Sequence, residues 1–393
     1  MIRKYGYEAL ISELNAEKFI QAARKESGLF DFGDKIFFEP MQKVLDCIAR
    51  DADFYPQGLE RFKTDVVRFL VNRLRMQHDI NRHPEILQED ISDPIIVIGL
   101  GRSGTTKLHK MLSSADNVHK TFFWRMINPS RFPDSVAGQP DPRIAAVNSD
   151  RTAEKSPELA AAHYIDAEEV EEEWMLYQFT FEDWIWCQFT PCYEYFDWVM
   201  RRPSLPAFRY VKQMLQYLQW QDGGKRGRPW VLKTVGYIAN MDALLACYPN
   251  ATFVHMHRDP RETIPSYAKV QSLMWSQQGN PVDPHVVGRE TLKMWSTAMR
   301  RYLETRNRLK LNDRILDVKY ETIRTDPMSV IREVYRRANR ELTDAEHQKM
   351  AAWHNNNEQH RFGRHDYSLQ AFGLTEADVD QAFDQYIRRF IKR

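Results

Sequence analysis

Between residues 9 and 82 apolar side chains return at helical spacing; Phe62, Val66, Val67, Leu70, Val71 and Leu74 mark one such face and predict an amphipathic helix. The glycines from Gly28 to Gly33 and the run Pro56-Gln57-Gly58 break this pattern, so the chain opens with a helical prelude in several pieces. The pattern then changes. Pro94-Ile95-Ile96-Val97-Ile98 is a short, unbroken apolar run rich in β-branched residues, as expected of a strand buried on both faces of a parallel sheet. It passes through a glycine-rich turn into a helix over 105–113. Similar short runs at 230–232, 252–256 and 315–319 alternate with helical stretches. This order implies an α/β fold: a parallel β-sheet flanked by helices, with its ligand crevice at the carboxyl ends of the strands. Segments 129–156 and 277–288 carry Pro, Asp, Ser and Arg with little periodicity and read as long surface connections. The expected organisation is a helical extension over 1–90 packed on a core domain over 91–393, with a helical insertion at about 129–225.

Charge changes this picture by exclusion. In 393 residues, 55 Lys and Arg face 54 Asp and Glu, a net charge of +1 without a long like-charge block, so no nucleic-acid partner is expected and any anion site must be local. The four cysteines form no C-x-x-C pair and no metal-binding spacing with histidine, consistent with buried thiols in a reducing compartment. No run approaches the ~20 apolar residues needed to span a bilayer, and the N-terminus lacks the apolar core of a signal peptide. A cytoplasmic location is expected.

The candidate chemistry lies where the strands end. Gly99-Leu100-Gly101-Arg102-Ser103-Gly104 fits the dinucleotide pattern G-x-G-x-x-G, but the acid required about 20 residues later is missing from Val118-His119-Lys120-Thr121-Phe122-Phe123. The same residues nearly fit the nucleotide-triphosphate loop G-x-x-x-x-G-K-[ST], yet Thr105 replaces its lysine, Thr106 follows, and Lys233 rather than an aspartate ends the next clear strand. What remains is a nest of backbone N–H groups at a helix start, reinforced by Arg102 and three hydroxyls, which suits an anion. A second anion site is expected in His257-Arg258-Asp259-Pro260 through Ser266. Two turns of helix can fold Ser266 back beside Arg258, so that a charged fork and a hydroxyl share one phosphate. The alternative is an Arg258–Glu262 ion pair beside an ordinary helix serine.

On these residues the chain resembles the sulfotransferase superfamily, specifically a bacterial branch whose loop reads G-x-x-R-S-G-T-T-x-L-H, here residues 99–109. The likeness spans nearly the whole chain, including Trp230-Val231-Leu232-Lys233, Arg258-Asp259-Pro260 and Gly363-Arg364-His365-Asp366-Tyr367. A proline common in the loop is here Gly101, and that substitution creates the apparent dinucleotide pattern. The resemblance implies a P-loop-like sheet and transfer of a sulfuryl group from 3′-phosphoadenosine 5′-phosphosulfate to a hydroxyl of a small molecule, leaving 3′-phosphoadenosine 5′-phosphate. Gly101, Arg102, Ser103, Gly104, Thr105 and Thr106 would hold the phosphosulfate. Arg258 and Ser266 would hold the 3′-phosphate, beneath a basic loop containing Arg361, Gly363 and Arg364. A sulfuryl group carries less charge than a phosphoryl group, so no metal is expected; Arg102 and Lys233 would face the charge that develops on the leaving phosphate.

The base has two candidates. Many relatives carry Leu-Lys-Ser-Pro-x-His after the second strand, whereas here Val235 replaces the proline and Tyr237 the histidine. His163 and Glu172 belong to a stretch resembling another family segment, a histidine followed by a Glu-Glu pair; histidine has the more suitable ordinary pKa of about 6.5, and a glutamate would need desolvation. The five carboxylates within 168–173 also fit a solvated helix face. Eleven aromatic residues among the 25 from Trp174 to Trp198 suit a packed core, part of which can line an apolar acceptor pocket, favouring a sterol, lipid or phenol-like alcohol over a bare sugar. The alternatives are a P-loop kinase-like phosphotransferase and, because of Tyr237, a nucleotide-binding protein without catalysis; a homo-oligomer is compatible with all three.

Overall fold

The computed structural model describes residues 9, 12–136, 138–152, 166–357 and 367–391. Three helices form the prelude: α1 (Ala16–Ser27), α2 (Phe38–Asp51) and α3 (Pro56–Arg82). Asn15 caps α1 by accepting the Lys18 N–H, and Gly28 closes it with a left-handed φ of 69°. Pro56 occupies the first turn of α3, where a missing N–H costs nothing, so the Pro56-Gln57-Gly58 run starts a helix and the break lies just before it. Phe62, Val66, Leu70, Val71 and Leu74 form the buried face of α3, and Val67 packs at its margin.

β1 (Ile95–Gly99) is buried throughout and leads into α4 (Thr105–Ser113). After it come α5 (Pro142–Thr152), α6 (Leu205–Gln221), β2 (Val231–Lys233), α7 (Met241–Cys247), β3 (Thr252–His257), α8 (Pro260–Trp275), α9 (Pro284–Arg308) and β4 (Ile315–Lys319). Among the described residues the four strands form one parallel sheet in the order β2-β1-β3-β4, flanked by helices, which is the α/β architecture expected. The chain leaves β1 toward β2 on one side and returns to β3 on the other, so the order reverses at the carboxyl end of β1, the usual ligand crevice of such a sheet.

Alternation along β1 divides the core. Ile96 and Ile98 join the helices of the prelude and the aromatic segment, while Ile95 and Val97 face Leu108, Met111 and Leu112 of α4. The aromatic segment ties the prelude down: Phe69 meets Phe179 edge-on at 4.9 Å and Trp186 at 5.7 Å. Buried Arg73 lies 3.9 Å from the rings of both Phe37 and Tyr210 and donates to the Phe179 carbonyl at 2.9 Å. At the opposite edge Asp317 of β4 accepts from both Arg306 nitrogens at 2.7 Å and contacts His257 at 2.8 Å, joining β3, β4 and α9.

Two segments read as loops are partly helical. Within 129–156, Asp141 pairs with buried Arg143 at 2.7 Å, and Arg143 donates to the Asn128 and Pro129 carbonyls, so polar side chains fold the segment inward and start α5. Within 277–288, Asp283 accepts the His285 N–H and Pro284 takes the first turn, which makes the Asp-Pro pair the start of α9. No helix among the described residues is long and apolar enough to cross a membrane.

Candidate functional site

Three strand ends supply the cations. β1 turns at Gly99, whose φ of 151° keeps a hydrogen where a Cβ would lie 2.7 Å from the Met256 carbonyl, and the loop reaches α4 through Gly104 at φ 90°. Arg102 adopts φ 70°, an uncommon conformation for a side-chain-bearing residue and a mark of a constrained turn. The Ser103 hydroxyl donates to the Leu100 carbonyl at 2.6 Å and braces the loop from within. Gly101 is required by a neighbour: a Cβ there would lie 2.2 Å from Cδ2 of Tyr267 on α8. The substitution that mimicked a dinucleotide pattern is therefore a packing solution, since Tyr267 occupies the space a larger residue would need.

Lys233 ends β2 and is 1% exposed. Its N–H is accepted by Glu173 Oε2 at 2.9 Å, and its ammonium pairs with Glu172 Oε1. The second oxygen of Glu172 accepts the Val235 N–H at 3.4 Å. The carboxylate run is thus not a solvated helix face: Glu171 and Glu173 are buried, and Glu172 is turned into the molecule because Lys233 compensates its charge. Burial pushes the Glu173 carboxyl up, opposed by hydrogen bonding from its neighbours. His109, on α4 behind Lys233, is pushed down to about 3, first by burial and then by the Lys233 charge, and so is a neutral imidazole.

Arg258 follows β3. Asp259 caps α8 by accepting the Arg261 N–H at 2.9 Å, and Pro260 begins that helix, which fixes Arg258 at the junction. Its guanidinium donates to the Arg102 carbonyl at 2.9 Å, pairs with Glu262 at 2.7 Å and lies 4.1 Å from the Tyr320 ring centre. Ser266 is buried and accepts Arg102 Nε at 3.2 Å. Arg258 and Ser266 are joined through Arg102 rather than directly, so the two expected anion sites are contiguous. Burial pulls the Arg102 guanidinium below its usual range.

A cavity of about 90 Å3 opens where these groups meet. Gly101, Arg102, Thr105, Thr106, Lys233 and Glu172 form its polar side; Trp174, Met175, Phe189, Val235, Val270 and Met274 form an apolar wall. Tyr267 also borders it and, with Val270 and Met274, stands at helical spacing on one face of α8. The Tyr267 hydroxyl donates to Gln188, another lining residue. Trp174 donates to Asp183 at 2.7 Å and packs on Gly236, where a Cβ would lie 2.7 Å from its ring.

Tyr237 does not line this cavity. It is buried 5.7 Å from the Phe208 ring and 6.0 Å from the Tyr177 ring, and burial with the Glu173 charge pushes its phenol well above the usual range. His163, Arg361, Gly363 and Arg364 lie outside the described residues. Sequence reasoning did not single out Tyr267, Gln188 or Glu173 for the site. The one available signal was the glycine in the loop, which announces a close neighbour without naming it.

A search of the curated proteins finds no match, whereas solved structures align along almost the full chain. Sulfotransferase STF9 from Mycobacterium avium superposes with a TM-score of 0.85 at 26% identity, covering 96% of this chain and 97% of its own. Sulfotransferase STF1 from Mycobacterium tuberculosis superposes with a TM-score of 0.80 at 25% identity, covering 94% and 98%. The sulfotransferase family model matches residues 94–344, a stretch that holds all four strands, the loop after β1, Glu172, Lys233 and Arg258. The chain belongs to the sulfotransferase family.

Proposed function

We propose that the protein transfers the sulfuryl group of 3′-phosphoadenosine 5′-phosphosulfate to the hydroxyl of a small hydrophobic molecule. The observation that carries this reading is one cavity bounded by Arg102, Lys233 and Glu172 on one side and by an apolar wall on the other. The loop supports the donor reading, because Arg102, Thr105 and Thr106 border the cavity at the start of α4. In this reading Gly101 to Thr106 hold the phosphosulfate, while Arg258, Ser266 and a basic loop containing Arg361, Gly363 and Arg364 hold the 3′-phosphate.

Glu172 is the base favoured by geometry, because it faces the cavity beside the apolar wall. It accepts the acceptor's hydroxyl proton as the new oxygen–sulfur bond forms and the phosphate–oxygen–sulfur bridge breaks on the phosphate side of sulfur. The bond's electrons remain on the departing phosphate oxygen, where Arg102 and Lys233 stabilise the growing charge. Trp174, Met175, Phe189, Val235, Val270 and Met274 favour a sterol, lipid or phenol-like alcohol, whose apolar body replaces water against them. His163 remains the second candidate base.

The test is binding followed by turnover. 3′-Phosphoadenosine 5′-phosphate is expected to raise the melting temperature without magnesium, and the phosphosulfate donor to be consumed in the presence of a panel of hydrophobic alcohols. Stabilisation by magnesium-ATP alone would point to a kinase; bisphosphate binding without transfer to any alcohol would point to a non-catalytic binder.

A further inference from the structure

We infer that Glu172 competes with the sulfuryl donor for Lys233, so that donor binding itself releases the base. The inference rests on the donor reading given above. Lys233 is almost wholly buried, and its ammonium is paired with Glu172 rather than directed to solvent. A buried ammonium is costly without such a partner. The backbone of Lys233 is held separately by Glu173, so the side chain can change partner while the end of β2 stays fixed. Both groups border the cavity that Arg102 also enters.

An anion held by Arg102 in that cavity offers the ammonium a second acceptor. When Lys233 turns to the phosphosulfate, the Glu172 oxygen it had occupied is freed to meet the hydroxyl of the acceptor. Donor and acceptor thus become ordered, because a hydroxyl arriving first meets a base already engaged through both oxygens, by Lys233 and by the Val235 N–H. By linkage, the donor weakens the Lys233–Glu172 pair by the same factor by which the pair weakens donor binding. After transfer, loss of the product and of the proton restores the pair.

The consequence runs against the usual behaviour of a base variant. Glu172→Gln is expected to abolish transfer yet bind 3′-phosphoadenosine 5′-phosphosulfate about tenfold more tightly, within the range typical of coupled sites. The measurement is calorimetric titration of the full chain with the donor in the absence of acceptor, for the parent, Glu172→Gln, Lys233→Met and the double variant. The gain should disappear in the Lys233→Met background, since the competition needs the ammonium. Should Glu172→Gln not fold, Glu172→Asn, whose shorter amide withdraws from Lys233, carries the same expectation. Donor binding by the parent with equal or weaker binding by the folded Glu172 variant overturns the inference alone, as does an equal gain with and without Lys233. Failure of the parent to bind the donor overturns the donor reading and this inference together.

Discussion

Arg258 lies across the ring of Tyr320, its guanidinium carbon 4.1 Å from the ring centre, while one of its nitrogens donates to the Arg102 carbonyl at 2.9 Å. The first residue after β3 is thereby fastened to the loop after β1, and the plane of its fork is set by an aromatic surface.

From this follows the behaviour of Arg258 variants. Arg258→Ala should weaken 3′-phosphoadenosine 5′-phosphate by roughly 1.5–3 kcal/mol, about ten- to hundredfold in Kd, the contribution of a hydrogen bond to a charged group. Arg258→Lys retains charge but loses both the fork and the stacking, so it should recover only part of the affinity. Calorimetry on both variants is the check, and parental affinity in Arg258→Ala would remove the assignment.

Lys233→Ala should lower kcat by about 10²–10³-fold, as for other single groups that stabilise charge on a reacting oxygen. Single-turnover rates at saturating donor separate this loss from weaker binding.

Gly101→Ala should destabilise the chain by about 1–3 kcal/mol, because the new methyl lies 2.2 Å from the Tyr267 ring. Combining it with Tyr267→Ala should relieve that overlap. The measurement is urea denaturation of the two single variants and the double variant; additive losses would show that the contact is not the cause.

Asp183 supplies a pH prediction. Burial pushes its carboxyl up to about 7, while it accepts from Trp174 Nε1 and the Ile185 N–H. The folded state therefore holds a proton that the unfolded chain, with an ordinary value near 3.9, gives up first. The associated stability is complete below about pH 4 and is lost as pH rises toward 7. Asp183→Asn retains the accepting oxygen without a titrating group, so the stability difference between parent and variant should shift against the parent over that interval. Melting curves from pH 4 to 7 would expose a flat difference if the carboxyl does not titrate there.

The strands were legible because β-branched runs such as Ile95-Ile96-Val97-Ile98 need no partner to be recognised, and the loop was legible because glycine, arginine and hydroxyls cluster within a few residues. Helix starts at Pro56 and Pro284 were harder, since proline marks a helix's first turn as readily as its interruption. The inward turn of Glu172 and Glu173 was hidden for another reason. A carboxylate run resembles a solvated surface until the lysine that neutralises it, 61 residues away along the chain, is placed beside it. Tyr267 likewise gains its meaning only from Gly101, on a different strand connection.

The strand order carries a consequence for synthesis. β1 is flanked by β2 on one side and β3 on the other, and both are made long after it. As the chain leaves the ribosome, a β-branched, uncharged strand must wait with both edges unpaired, which is the composition most prone to pair with another molecule. The helices made before it are already available to shelter one of its faces in that interval, since Ile96 and Ile98 share a core with them in the finished molecule. Shortening the prelude should therefore reduce the yield of soluble protein even where the anion-binding loop is untouched.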